Sequence, residues 1–128
     1  MKLFGKIILS IGIIFVLAAA GGMLFLTRGL ESGRNLVIGE VHPSLLNDGT
    51  YQGEYQGGRW SNQINVTIKE HKITQIDLVK DVKFPQPAVA DELFNKVMEK
   101  QNTNVDAVTG STVTCKAYLK SIENALKK

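Results

Sequence analysis

The sequence predicts an α+β fold: a small antiparallel sheet packed with two helices, preceded by a single N-terminal transmembrane helix. Three observations carry this reading. An apolar run extends from Ile7 to Leu26, apolar and polar residues alternate between Gln63 and Lys80, and apolar residues recur at helical spacing after Ala88. Strands first and helices afterwards is the order of a sheet covered by helices on one face. A chain of 128 residues holds one ordinary domain with a modest core.

Of the twenty residues from Ile7 to Leu26, 16 are apolar and none is charged. A helix of that length rises about 30 Å, the thickness of the hydrocarbon core of a bilayer. A small domain has no interior wide enough to cover a helix that is apolar all round, so residues 1–27 are expected to be a membrane anchor. Lys2 and Lys6 before the run, against Arg28 and Arg34 with Glu31 after it, favour a cytoplasmic N-terminus and an extracytoplasmic remainder. The competing reading is a cleaved signal peptide, for which Ala18-Ala19-Ala20 offers a site. The run nevertheless continues through Met23, Leu24, Phe25 and Leu26, longer than a signal core, and no cysteine follows it to carry a lipid.

Residues 28–47 hold Gly29, Ser32, Gly33, Asn35, Gly39 and Pro43 without sustained period, and are expected to form a stem reaching up to about 60 Å. Residues 48–128 are expected to be the domain. Thr50 to Tyr55 has spaced aromatics. From Gln63 to Glu70, Ile64, Val66 and Ile68 fall on one face and Asn65, Thr67 and Lys69 on the other, the pattern of a half-buried strand. After the turn Glu70-His71-Lys72, Ile73 to Lys80 pairs back as a hairpin. Phe84-Pro85-Gln86-Pro87 stops any strand. Val89, Leu93, Val97 and Met98 define a first helix over Ala88 to Lys100, with acidic residues early and lysines late as the helix dipole favours. Tyr118, Leu119, Ile122, Ala125 and Leu126 define a second from Val113 to Lys127.

Outside the apolar run, about 37% of the residues are apolar, an ordinary soluble composition. The net charge of +3 is carried mostly near the N-terminus, since the chain from Leu45 onward has 11 basic and 10 acidic residues. That excludes nucleic acid as a partner, which would demand a basic face on the folded domain. The one cysteine, Cys115, and the two distant histidines, His42 and His71, form no metal-binding pattern. No general base and no nicotinamide fingerprint is visible, so no residue is read as catalytic.

Chemistry concentrates between the two helices, in Asp106-Ala107-Val108-Thr109-Gly110-Ser111-Thr112. Together with Thr114, this segment crowds four hydroxyls into six residues around a glycine where a helix begins. A helix start offers unpaired N–H groups and a positive dipole end, both suited to phosphate. A threonine hydroxyl there is also a site for a phosphoester, whose charge those donors would stabilise. The same residues equally suit an N-cap, in which hydroxyls accept from backbone N–H groups.

Asp106-x-x-Thr109-Gly110-Ser111-Thr112 resembles the flavinylation motif of FMN-binding domains, Asp-x-x-Ser/Thr-Gly-Ala-Thr, with Ser111 where alanine is commoner. Such domains occur in the flavin subunits of sodium-pumping NADH:quinone oxidoreductases and Rnf complexes, and in small extracytoplasmic redox proteins. Asp48-Gly49-Thr50-Tyr51-Gln52-Gly53 is similar to the family's opening Asp-Gly-x-Tyr-x-Gly. The stretch Ile64 to Ile76 resembles its hairpin, with Glu70-His71-Lys72 in place of Asp-Gly-Lys, and Ile122 to Leu126 resembles its close.

The resemblance implies FMN joined by a phosphoester to Thr112, attached from FAD by a separate magnesium-dependent flavin transferase. It implies that Asp106, Thr109, Gly110 and Ser111 form the recognition loop and, as cofactor-binding residues with Thr112, help place the phosphate. The function so implied is electron relay between a membrane donor and an extracytoplasmic acceptor. Trp60, Tyr55 and Phe84 are candidate partners for the flavin ring. Two other readings stand beside this one: an anchored module that binds an anionic or phosphorylated ligand without redox chemistry, and a structural domain whose threonines only cap a helix.

Overall fold

The computed structural model describes residues 2–27 and 30–127. Helix α1, Lys2–Thr27, has no buried residue along its 26 positions, and its most apolar stretch has a mean hydropathy of 2.6. It is long and apolar enough to cross a membrane, and its most apolar stretch is unburied, while Phe25 near its end shares a hollow with Gly58 and Arg59.

Three strands form one antiparallel sheet in chain order: β1, Gly49–Tyr55; β2, Asn62–Lys69; β3, Lys72–Lys80. In β2 the predicted alternation holds, with Ile64, Val66 and Ile68 at most 1% exposed. The β3 pattern is less regular, because Ile73 and Ile76 both face inward three residues apart. A register shift at Thr67/Ile68 places the extra residue Thr74 between them, and a second shift at Gln63/Ile64 leaves Val79 facing outward. The hairpin turns on Glu70 and His71, both at positive φ, which costs a non-glycine residue about 1–2 kcal/mol each. Asp48 Oδ1 accepts from the Glu70 N–H at 2.8 Å, and His71 Nδ1 lies 2.8 Å from the Leu46 carbonyl, so the turn is clamped from outside.

Helix α3, Pro87–Lys100, and helix α4, Thr112–Leu126, cover one face of the sheet. Each begins one residue before the start expected from sequence. The most buried helix is α4, which packs across β1 and β2, while α3 lies against α4 and β3. Tyr118 of α4 is fully buried and meets Phe94 of α3 edge to face, with ring centroids 5.5 Å apart. Contact between α4 and β1 is of backbone on backbone at Gly53. A Cβ there would fall well inside contact distance of the Ser121 carbonyl oxygen and the Ala125 amide nitrogen.

The expected stem is not an extended tether over its described part. Leu30–Arg34 forms a short helix, α2, and the following residues run along α4 in the same direction. Gly33 sits against Val113, Lys116 Nζ donates to the Arg34 carbonyl at 2.7 Å, and Lys120 Nζ donates to the Val37 carbonyl at 3.4 Å. The Gly39 N–H donates to the Glu123 carboxylate, the Thr103 hydroxyl donates to the Gly39 carbonyl at 2.7 Å, and the Val41 N–H donates to Asn102 Oδ1 at 3.1 Å. Val41 itself is 1% exposed. Sequence reading missed this strap because it is held by its backbone, whose partners are side chains 61 to 84 positions away, and such bonding leaves no period in the strap's own residues.

Glu123 is the strap's main clasp, with Lys120 Nζ at 3.1 Å and Lys127 Nζ at 3.3 Å. Burial alone pushes its carboxyl upward. The hydrogen bonds from Lys120, Gly39 and Lys127 outweigh that and hold it below 4.5, the ordinary value.

Two predictions follow from these contacts. Gly53→Ala forces α4 away from β1 and lowers stability by about 3 kcal/mol, read as a drop in the denaturant midpoint of the detergent-solubilised chain. Because Glu123 titrates lower in the folded state, its stabilisation is complete above pH 4.5 and is lost as pH falls through the folded value. The unfolding temperature of the wild type therefore declines more steeply below pH 4.5 than that of Glu123→Gln; equal slopes would remove Glu123 from this role.

Candidate functional site

The loop between α3 and α4 is fixed at both ends. At its start Gln101 takes a left-handed conformation, φ 56°, and its side-chain amide bridges to β3. Its Oε1 accepts from the Ile73 N–H at 2.6 Å, and its Nε2 donates to the Ile73 and Met98 carbonyls at 2.9 and 2.7 Å. Further on, Val105, Ala107 and Val108 pack half-buried on the core. A tight turn then closes with the Ser111 N–H donating to the Val108 carbonyl at 3.0 Å. Gly110 is the third residue of this turn, at φ 83°, where a type II turn requires a positive angle. A Cβ at Gly110 would meet nothing within 4 Å, so glycine is needed there for its backbone angle and not for room.

Ser111 occupies the N-cap position of α4, yet no side chain caps the helix. The Ser111 hydroxyl instead donates to Gln86 Oε1 at 2.8 Å, tying the loop to the residue before α3. The capping reading of these hydroxyls is thereby corrected: the first-turn N–H groups of α4 have no side-chain acceptor, and the positive end of the dipole is left without a counter-charge. Thr112 is the first residue of the helix and is exposed. Cys115, fully buried one turn on, accepts from the Val108 N–H through Sγ at 3.4 Å. Burial pushes its thiol upward, so it stays protonated as a packing residue behind the loop.

Gly110, Ser111 and Thr112, with Val113 and Thr114, line one wall of a cavity of about 560 Å³. The opposite side comes from the 3-10 turn Gly58–Trp60 and the segment after β3, which contribute Arg59, Trp60, Val82 and Phe84. Arg59 sits against these aromatic rings, its guanidinium carbon 4.3 Å from the Trp60 ring centroid and 5.5 Å from that of Phe84. The strap supplies Leu30 and Arg34. No carboxylate is among the lining residues, so two guanidiniums and a helix N-terminus give the cavity positive potential.

Of the sequence-predicted site residues, the structure brings Gly110, Ser111 and Thr112 to this cavity. Asp106 lines a separate surface hollow beside Lys96 and Lys100, and Thr109 is exposed on the turn. Trp60 and Phe84 share the cavity, whereas Tyr55 packs over Gly57. Near the cavity's edge, Tyr118 donates its hydroxyl to Asp81 Oδ1. Burial first, and the Asp81 carboxylate second, push the phenol far above its usual range, so it keeps its proton. Arg34, Arg59 and Gln86 were missed from sequence. Only Arg59 left a signal, as a cation beside tryptophan after the glycine pair Gly57-Gly58.

These residues fit FMN. The helix start suits its phosphate, the aromatic surface suits a planar ring, and the volume lies within the range of sites that enclose small cofactors.

Comparison with known proteins agrees with that fit. The chain is similar to NADH:acrylate oxidoreductase of Vibrio harveyi, 28% identical over 88 residues. That alignment covers 66% of this chain and 9% of the relative, so the chain spans less than a tenth of the length of the protein it matches. The FMN-binding domain family matches residues 58–127, more than half of the chain, and the match takes in both the Arg59 turn and the start of α4. The chain belongs to the FMN-binding domain family.

Proposed function

We propose that this chain is a membrane-anchored flavoprotein that carries FMN through a phosphoester on Thr112 and relays electrons between a membrane donor and an extracytoplasmic acceptor. The observation that carries the reading is the position of Thr112: exposed, first in α4, and on the wall of the cavity that holds the cationic and aromatic residues. Among the neighbouring hydroxyls, that of Ser111 is engaged by Gln86. Thr112 therefore offers the accessible oxygen beside the helix N–H groups.

Attachment requires a flavin transferase with magnesium and FAD. The Thr112 oxygen bonds to the flavin-side phosphorus, the bridge between the two phosphates breaks, AMP leaves, and the hydroxyl proton passes to solvent. Asp106, exposed outside the cavity, is accessible to the transferase during this step. Once held, isoalloxazine supplies the electron chemistry. The domain's own residues would hold the phosphate at the start of α4 and present the exposed Phe84 to the ring, with Arg34 and Arg59 supplying positive charge around both.

A donor in the membrane is supported by chain length alone. Leu30 lines the cavity and stands three positions after the end of α1 at Thr27, a reach of about 10 Å. The similarity to an NADH:acrylate oxidoreductase supports a redox role. Its NADH and acrylate chemistry is not assigned to this chain.

Co-expression of the full chain with a flavin transferase tests the proposal. A denatured gel band should fluoresce under ultraviolet light, with an intact mass raised by one FMN group. Thr112→Ala should abolish both, and Asp106→Ala should reduce flavin loading several-fold without lowering the unfolding temperature. A native protein of unmodified mass and no fluorescence sinks the covalent reading. Fluorescence persisting in Thr112→Ala places the link on another hydroxyl.

A further inference from the structure

We infer that Arg59 is a positioning residue for the flavin ring, holding its guanidinium against the ring edge that gains negative charge on reduction and so raising the reduction potential. This inference rests on the FMN reading above and extends it to a residue outside the flavinylation motif.

The first observation is that Arg59 lacks an anionic partner. Among the described residues, ion pairs join Lys96 to Glu92, and Lys120 and Lys127 to Glu123, and none involves Arg59. Its Nε is buried and makes no hydrogen bond. A buried guanidinium N–H without an acceptor is costly and uncommon in folded proteins, which points to an acceptor supplied by a ligand. The nearest carboxylate candidate, Asp81, lines a neighbouring hollow with Arg59, but its Oδ1 already accepts from Tyr118 and from the Val82 N–H at 2.7 Å.

The second observation is the placement of the group. Arg59 lies over Trp60 and beside Phe84, and Phe84 is a large aromatic left 55% exposed. A guanidinium held beside an exposed aromatic face is within reach of the edge of a ring stacked on that face. The phosphate end of the cofactor is already served by the start of α4. Among the described residues no other cation lies against the Trp60 and Phe84 rings.

Two electrons from a reductant and one proton from solvent leave the reduced ring with one more negative charge than the oxidised ring. A fixed cation at that edge therefore favours the reduced form, an influence distinct from holding the cofactor in place.

The test uses the full chain, flavinylated by co-expression, with Arg59→Met and Arg59→Gln as neutral variants and Arg59→Lys as the charge-retaining one. Flavin loading is read by intact mass, and the midpoint potential by dithionite titration of the absorption spectrum. Potentials are compared per loaded flavin, whatever the loading of each variant. In both neutral variants the ratio of reduced to oxidised flavin at fixed potential should fall at least tenfold, a shift of about 30 mV to lower potential for a two-electron couple. Arg59→Lys should recover most of it. An unchanged potential in loaded neutral variants overturns the inference and leaves the FMN reading intact. Reduced loading with an unchanged potential also overturns it, assigning Arg59 to the phosphate or the transferase. A wild type without flavin overturns both readings.

Discussion

The backbone contact between α4 and β1 at Gly53 is the constraint on which the remaining structure depends. Side chains normally keep a helix and a sheet about 10 Å apart. Here the missing side chain lets the Ser121 and Ala125 backbone settle directly over the strand. That depth buries the α4 residues Cys115, Tyr118, Ile122 and Ala125 completely, and it fixes the height at which the helix begins. The N-terminus of α4 forms one wall of the cavity. A glycine almost sixty residues before Thr112 thus determines where Thr112 stands.

With α4 seated, its outer flank becomes a template for the strap. Lys116, Lys120 and Glu123 recur at helical intervals and meet the Arg34, Val37 and Gly39 backbone in turn, so a chain with no regular structure of its own is read off against a helix. Individually such bonds are modest, since exposed lysine contacts contribute little. Their effect is geometric: they hold Leu30 and Arg34 in the cavity wall and keep the end of the apolar helix beside the site. A loose stem of equal length would let the cavity move tens of ångströms relative to that helix.

The fold was legible where burial imposed a period. The alternation of Ile64, Val66 and Ile68 and the helical spacing of α3 and α4 follow from one side of each element facing a core, and their observed boundaries differ from the expected ones by a residue or so. Where side chains bind backbone, the sequence was silent, and that concealed the strap. The bulges at Thr74 and Val79 were equally hidden, although the odd spacing of Ile73 and Ile76 hinted at the first. At the site, the motif marked the helix start because glycine and hydroxyl residues are chemically distinctive. The facing wall is assembled from the Gly58–Trp60 turn, Val82 and Phe84, and α2, which only the folded chain brings together.

The crowding of hydroxyls around Gly110 illustrates how a fold selects among equivalent groups. Ser111, Thr112 and Thr114 all line the cavity and share nearly the same intrinsic chemistry. Ser111 spends its proton on Gln86, and Thr114 is turned half inward, leaving Thr112 most open to solvent. The contact that removes Ser111 from competition also ties the loop to the start of α3. The covalent link proposed at Thr112 would change what the cavity must do. A tethered cofactor would be present at roughly millimolar effective concentration whether or not the cavity gripped it, so tight non-covalent binding would be unnecessary. Phe84, Gln86 and Thr112 are exposed along one rim, so a ring held there by a tether would stay open to the approach of another molecule.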